Sequence, residues 1–183
     1  MSSLIIVFTG KDAKAIQIEG GSGYWIAQEH RILEADYLLC VRNHRETWAI
    51  KDDGVDHGEA FFIAKGLGWS EVAEHRGRKL ITFKEYACLP KNDPALKDAW
   101  RNLTSGQRYP VAYKDLQDVV AKLQLDLTAL NWKQFENTEV VDTDNESIET
   151  TDISLATVIL NAKKMIADAA NVDLSNISVH IQY

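Results

Sequence analysis

An apolar run in this chain ends abruptly in a cluster of hydrogen-bond donors. The segment YLLCVRNHRETW, residues 37–48, is apolar up to position 41 and continues directly into Arg42 and Asn43, with Trp48 just beyond. A guanidinium can bind a phosphate or carboxylate through two parallel hydrogen bonds, and a carboxamide can pair with the edge of a base. An indole offers a flat face on which a base stacks, which contributes about 1–3 kcal/mol. These residue types predict a binding site for a planar, polar ligand.

Other aromatic residues and one histidine are candidates for the same site. Five tryptophans are many for 183 residues, and three of them fall in the first half of the predicted main domain. The alternative is that the tryptophans anchor the core, while the polar residues after the apolar run only mark its exit into solvent. Trp69 is a further candidate, and His57 precedes an apolar run and can point into a site. The residues expected to bind the ligand are Tyr24, Trp25, Arg42, Asn43, Trp48 and His57.

The segment DDGVDHGEA, residues 52–60, contains possible metal ligands. Its carboxylates and histidine suit a divalent ion, but their spacing matches neither an EF-hand loop nor a His-Glu-x-x-His helix. Aspartates and glycines at this density are also what a turn between two strands requires. A turn is therefore favoured, and a metal-assisted hydrolase using Asp56, His57 and Glu59 is the third and weakest hypothesis. We expect no metal and no cofactor.

Motifs for nucleophilic catalysis and phosphate transfer are missing from the sequence. It contains no Gly-x-Ser-x-Gly motif and no Gly-x-x-x-x-Gly-Lys-Ser/Thr loop. Cys40 and Cys88 lie in apolar runs, where we expect unreactive buried thiols. The segment EHRGRKL, residues 74–80, is a small basic patch that either meets phosphates or is a solvated turn. These observations favour a binding protein over an enzyme.

The net charge of −7 comes from one segment of the chain. Residues 1–134 contain 18 basic and 18 acidic residues, whereas residues 135–153 contain seven acidic residues and no basic one. A neutral main domain argues against strong charge-driven binding to bulk nucleic acid, which needs a basic face. It still permits a local site formed by a few arginines or lysines.

The apolar runs and the cysteines also indicate where the protein is located. No apolar run approaches the length needed to span a bilayer, and no basic segment precedes an apolar one as in a signal peptide. Two cysteines in apolar runs indicate free thiols rather than a disulfide. We therefore expect a cytoplasmic protein that does not bind membranes.

These candidate residues must be positioned by a mostly β-stranded domain. Residues 1–20 predict a β-hairpin with GKDA as its turn, and EGGSG at residues 19–23 predicts a break after it. Short helical turns are expected at residues 28–34 and 95–100. Asp115 is expected to cap a longer helix after the strand YPVAY. The remaining strands are expected in YLLCVRN, GEAFFIAKGLGW and RKLITFKEYACL, with a bulge or barrel corner at the glycines of the second.

The last part of the chain has a different character. Residues 136–153 predict an acidic, solvated linker, and residues 154–183 predict an amphipathic helix followed by a strand. A single helix and strand cannot bury their own apolar faces, so this unit must dock on something. The expected partners are the N-terminal hairpin of the same chain or the same unit of a second copy, which would form a homodimer.

The order of elements over residues 23–135 resembles that of a known group of domains. YWIAQEHRILEADYLLCVRNH, HGEAFFIAKGLGW, RKLITFKEYACL and YPVAY are similar to the successive elements of PUA-like barrels, which include the EVE, ASCH and YTH domains. Such domains bind RNA or DNA, often at a modified base, in an aromatic pocket at the barrel mouth. The Gly-x-Lys-x-x-Glu-x-Arg signature of the ASCH type is absent, so no ASCH-like activity is implied. The resemblance implies that Trp25, Arg42, Asn43 and Trp48 line the pocket.

The sequence thus predicts an α+β fold with a small mixed or antiparallel PUA-like β-barrel, an N-terminal hairpin and a C-terminal helix-strand unit. The first functional hypothesis is a non-enzymatic module that binds a nucleobase, a nucleotide or a modified nucleic acid in an aromatic pocket. The second is an interaction or scaffold protein that dimerises or docks a partner through its C-terminal unit.

Overall fold

The computed structural model describes residues 2–135. The predicted linker at 136–153, the helix-strand unit at 154–183 and the dimer inferred from it lie outside the described residues and stay predictions. Nine strands are described: β1 (Ser3–Thr9), β2 (Ser22–Trp25), β3 (Tyr37–Arg42), β4 (Ala60–Lys65), β5 (Gly68–Glu71), β6 (Lys79–Thr82), β7 (Glu85–Cys88), β8 (Val111–Asp115) and β9 (Lys133–Gln134).

Four short helices and one 3₁₀ turn connect these strands. Within the described part of the chain, none of the helices has the length and apolar character needed to cross a bilayer. The helices are α1 (Ala13–Ile18), α2 (Glu29–Leu33), α3 (Ala99–Thr104) and α4 (Leu116–Leu123), and the 3₁₀ turn is Ala73–His75.

The strands form two sheets, and the fold is α+β as expected. The larger sheet has the order β8-β1-β3-β4-β7-β9, in which β1 and β3 run parallel and all other neighbours run antiparallel. The smaller sheet has the order β2-β6-β5 and is antiparallel. Within residues 2–135 neither sheet closes on itself, so no closed barrel is found in this part of the chain.

The larger sheet is covered on both faces. Successive side chains of a strand point to opposite faces, and in β1 the residues Leu4 and Ile6 belong to one apolar cluster while Ile5 and Val7 belong to another. The first cluster includes residues of α3 and α4, and the second includes residues of α1, α2 and the smaller sheet. Burial on both faces explains why β1 and β3 are continuously apolar rather than alternating.

The predicted N-terminal hairpin is wrong. Its first half is β1, a central strand of the larger sheet between β8 and β3. Its second half is helix α1, which begins after Asp12, whose side chain accepts a hydrogen bond from the Ala15 amide (2.7 Å). Residues 2–20 therefore belong to the same folded unit as residues 21–135, and the boundary predicted near residue 20 does not separate two domains.

The two longest predicted strands are each divided between the sheets. The chain leaves β4 of the larger sheet at Gly66, whose φ of +67° suits glycine, and continues as β5 of the smaller sheet. It returns between β6 and β7, where the Lys84 amide donates to the Lys65 carbonyl (3.1 Å). The glycines thus mark a corner, as expected, but this corner joins two sheets.

Several predicted elements are confirmed. Strand β3 spans Tyr37–Arg42, and a helix lies within residues 28–34. The Asp115 side chain caps α4 by accepting hydrogen bonds from the amides of Gln117 and Asp118. The helical turn expected at 95–100 is instead α3, which begins at Ala99.

Candidate ligand-binding site

The carboxyl ends of the parallel strands β1 and β3 meet at one edge of the larger sheet. Thr9 is paired with Arg42, and the Asn43 amide donates to the Thr9 carbonyl (2.7 Å). The next carbonyl, that of Gly10, accepts from the Ile50 amide (2.9 Å). These bonds tie the segments that follow the two strands to each other. Loops at the carboxyl ends of parallel strands commonly form ligand sites, because the chain diverges there and leaves a crevice.

Arg42 does not reach this crevice. Its side chain is fully buried, donates from Nη1 to the Gly10 carbonyl (3.2 Å) and forms an ion pair with Asp53. Its guanidinium carbon also lies 4.4 Å from the centre of the Phe61 ring. Burial lowers the pKa of Arg42, and the nearby Asp53 opposes that effect. The expectation that Arg42 contacts a ligand is not met by this geometry, in which the guanidinium holds the crevice loops together.

A first cavity of about 700 Å³ opens beside Gly10. We call it the aromatic cavity, because five of its lining residues carry aromatic rings. Four of the six residues predicted to bind the ligand line this cavity, Asn43 among them. The other lining residues come from distant parts of the chain. The ring-bearing residues that line it are Phe8, Tyr24, Trp25, Trp48 and His75.

Trp48 supplies an open aromatic face to this cavity. Its side chain is 58% exposed, and its indole packs against Gly10 so closely that a Cβ at that position would lie 2.9 Å from Cζ3. Glycine at position 10 is therefore what allows the ring to lie against the backbone. A large aromatic side chain left this exposed beside a concave surface is available for stacking.

Trp25 and Tyr24 also line the aromatic cavity. Trp25 is 8% exposed and its Nε1 donates to the Ser22 hydroxyl (3.2 Å), so it contributes a fixed boundary rather than an open face. The Tyr24 ring stacks on His75 with centroids 3.9 Å apart, and the Lys11 ammonium lies 4.4 Å from its centre. Trp69, the further candidate, lies in β5 beneath the Lys79 ammonium and does not line the aromatic cavity.

Asn43 is a buried residue with a defined amide orientation. Its Oδ1 accepts a hydrogen bond from the Arg45 amide (3.0 Å), which identifies the other atom as the Nδ2 donor. Within residues 2–135 this Nδ2 donates no hydrogen bond. Asn43 lines both the aromatic cavity and a second cavity next to it, so its amide is a donor available to a ligand at their junction.

The second cavity has a volume of about 670 Å³. We call it the arginine cavity, because Arg45, Arg101 and Arg108 line it. It shares Phe8, Asn43, Glu46 and Pro110 with the aromatic cavity, so the two adjoin along that boundary.

His57 lies in the arginine cavity, not in the aromatic one. Its Nδ1 accepts a hydrogen bond from the His44 amide (3.0 Å), so the neutral ring carries its proton on Nε2. Burial lowers the pKa of His57, and electrostatic interactions with Arg45 and His44 lower it further. The imidazole is therefore a neutral hydrogen-bond donor near neutral pH.

The residues considered as metal ligands are engaged elsewhere. The Glu59 carboxylate is buried and accepts from the amides of Asp56 (2.9 Å) and Asn92 (3.1 Å). The Asp56 carboxylate pairs with Lys97 (3.0 Å). Across the described residues, no group of three or more potential ligands is arranged to hold a metal ion.

Sequence reasoning missed the contributions of Phe8 and Lys11 to the aromatic cavity. Both residues lie in the predicted hairpin, which is expected to be separate from the main domain. The run SLIIVFTGK nevertheless ends in polar residues in the same way as YLLCVRN. That shared pattern was the available signal, because parallel neighbouring strands place their final residues side by side. His75 and Arg78 of the basic patch also line the cavity, whereas Lys79 pairs with Glu29 and Glu71.

Comparison with known proteins adds no relative. No protein-family model matches the sequence, and no curated protein or solved structure resembles it significantly. The function is therefore inferred from the geometry of the two cavities.

Proposed function

We propose that this protein is a non-enzymatic module that binds a nucleobase, as part of a nucleotide or of a nucleic acid strand, in the aromatic cavity. The observation that carries the proposal is the exposed Trp48 indole on a concave surface that also contains Tyr24 and the Asn43 amide. A flat ring for stacking and a fixed polar group for the edge are the two elements of base recognition.

The charges of the aromatic cavity favour a neutral ring as its occupant. Lys11 is paired with Glu19, and the two remaining charged residues that line the cavity, Arg78 and Glu46, have opposite signs. Arg78 also donates to the Tyr24 carbonyl (3.1 Å). The cavity thus has no excess of either charge, which suits a neutral heterocycle better than an isolated anion or cation.

The proposal is one of binding. Among the described residues, those that line the aromatic cavity include no serine or cysteine that His75 could activate. The resemblance of residues 23–135 to PUA-like domains points to the same function, since those domains bind nucleic acid through an aromatic pocket. We therefore propose that this protein is related to PUA-like domains. Strand β1 lies outside the segment that resembles them, but it is an integral strand of this fold.

The proposal is tested with the full-length chain and labelled single-stranded RNA and DNA oligonucleotides, measured by fluorescence anisotropy. Trp48→Ala should weaken binding about 5- to 150-fold, which corresponds to the loss of about 1–3 kcal/mol of stacking. Because the side chain is exposed, thermal melting should change little.

The matched control is Tyr109→Ala. Tyr109 is 66% exposed and lines neither the aromatic nor the arginine cavity, so this variant should bind as the unmodified chain does. Binding that is the same in both variants would overturn the proposal, as would the absence of binding to any nucleotide or oligonucleotide.

A further inference from the structure

The arginine cavity collects positive charges that are far apart in the sequence. Arg45 follows β3, Arg101 lies on α3, and Arg108 lies in the connection from α3 to β8. All three are exposed, and none forms an ion pair with another residue of the 2–135 region. The three guanidinium groups are therefore available to an anionic ligand.

The balance of charge in this cavity differs from that of its neighbour. Two carboxylates, Glu46 and Asp98, also line it, so the three arginines leave an excess of one positive charge, with His57 neutral. Arginine is the side chain best suited to phosphate, because its planar fork offers parallel donors to two phosphate oxygens. In a main domain whose charges cancel overall, this excess is local rather than part of a broad basic face.

The segment that carries two of these arginines is held in place by Trp100 and Gln107. The Trp100 ring stacks on Phe8 (centroids 4.7 Å apart, planes at 6°), and its Nε1 donates to the Gln107 carbonyl (3.2 Å). The Gln107 side-chain amide donates to the carbonyls of Tyr109 and Val111 (2.9 Å each). A site whose supporting backbone is already ordered loses less entropy when a ligand binds.

We propose that the arginine cavity binds the phosphate group of the nucleotide whose base occupies the aromatic cavity, through Arg45, Arg101 and Arg108. This inference rests on the proposed function and specifies it: the ligand is a phosphorylated nucleotide rather than a free base or nucleoside. Phe8 and Asn43, which line both cavities, lie where the sugar between base and phosphate would pass.

The test compares three ligands with the full-length chain by isothermal titration calorimetry: a nucleoside, its 5′-monophosphate and a short single-stranded oligonucleotide. The two phosphorylated ligands should bind at least tenfold more tightly than the nucleoside if a mononucleotide suffices. If only the oligonucleotide gains affinity, the phosphate belongs to a strand. Equal affinity for all three ligands would overturn the inference.

Substitution of the arginines gives the second arm. Arg45→Gln, Arg101→Gln and Arg108→Gln should each weaken binding of the phosphorylated ligand about tenfold and leave nucleoside binding unchanged. For an oligonucleotide, each should also reduce the slope of log affinity against log salt by about 0.7, the value for one phosphate contact on a single strand. The control is Arg76→Gln, since Arg76 is exposed but lines neither cavity.

The results separate failure of this inference from failure of the proposed function. If Trp48→Ala weakens all ligands while the three arginine variants behave like Arg76→Gln, base binding stands and the phosphate site is wrong. If the arginine variants weaken oligonucleotide binding but Trp48→Ala does not, phosphate binding occurs without a base pocket and the proposed function is wrong. If none of the three ligands binds, both are wrong.

Discussion

The aromatic cavity and the arginine cavity share four residues but present different chemistry. In the aromatic cavity the charges of Lys11 and Glu19 are paired, and the Trp48 indole is an exposed, uncharged ring. In the arginine cavity three exposed guanidiniums have no ion-pair partner in the described part of the chain. The contrast shows how a single sheet edge can offer a neutral stacking surface beside a cationic one. A ligand with both an aromatic and an anionic part would use the two together.

The same edge also contains an arginine with the opposite role. Arg42 is fully buried, whereas Arg45, three residues later, is exposed in the arginine cavity. Arg42 joins the Gly10 carbonyl to the loop that carries Asp53, and so supports the segments from which both cavities are built. Its effect on a ligand is therefore expected to be indirect, through the stability of the loops.

The largest effect is expected from removing this buried arginine. Arg42→Ala leaves Asp53 without its partner and should lower the free energy of unfolding by about 3–5 kcal/mol, the usual cost of breaking a buried ion pair from one side. Urea denaturation measures it. Arg45→Ala, as the exposed counterpart, should stay within about 0.5 kcal/mol of the unmodified chain. Similar stabilities of the two variants would show that Arg42 is not structural.

The next largest effect is expected at the residue that both cavities share. Asn43→Asp retains the oxygen that accepts from the Arg45 amide but replaces the Nδ2 donor with a second oxygen and a negative charge. Oligonucleotide affinity should fall by about 1.5–3 kcal/mol, the range for hydrogen bonds that involve a charged group, while the fold is kept. Anisotropy titration measures the affinity. An unchanged affinity would show that this amide does not contact the ligand.

A smaller effect is expected from moving the indole without removing it. In Gly10→Ala the new Cβ would lie 2.9 Å from Trp48 Cζ3 and 3.0 Å from the Ala49 Cβ, so the exposed ring must shift outward. Oligonucleotide affinity should fall by about 1 kcal/mol, less than for Trp48→Ala, because the stacking face is displaced but present. Equal losses in the two variants would indicate that ring position is as important as the ring itself.

The smallest effect concerns pH. The pKa of His57 in the folded protein is below 6.5, because burial disfavours the imidazolium and Arg45 and His44 repel it. The unfolded chain therefore binds more protons between that lowered value and 6.5, so the contribution of His57 to stability is complete above 6.5 and is lost as pH falls through this window. His57→Asn, whose Oδ1 can still accept from the His44 amide, should lose less stability than the unmodified chain between pH 7.5 and 5.5 in thermal melts. An equal loss of stability in both proteins would contradict the lowered pKa of His57.

The hairpin error has a local cause. The hairpin is predicted from the β-branched residues on either side of GKDA, which include Ile16 and Ile18. In a strand these two side chains would point to the same face. In helix α1, Ile16 is fully buried and Ile18 is 76% exposed. Six residues are too few for the two periods to be told apart by pattern alone. The signal for the helix was the Asp12 cap, which was interpreted as part of a turn.

The candidate site was predictable in part. Tyr24, Trp25, Asn43 and Trp48 are found at one cavity; their residue types predicted them, and for Asn43 and Trp48 so did the position after an apolar run. Arg42 was nominated by the same reasoning, but its partner Asp53 lies in a different segment, and only that pairing shows that the guanidinium is buried. Residue type identifies side chains that are able to bind a ligand. Whether such a side chain is exposed depends on the neighbours that pair with it or pack against it in the folded protein.

The sequence by itself determined the α+β class, the position of β3, the presence of a strand directly before α4, and the Asp115 cap of α4. These follow from short-range rules, namely apolar continuity and the needs of a helix end. Only the tertiary structure decided that β1 lies parallel to β3 and that Arg45, Arg101 and Arg108 line one cavity. The physical reason is that strand pairing and charge convergence join residues far apart in the chain, and a local pattern does not specify which distant segment its residues will meet.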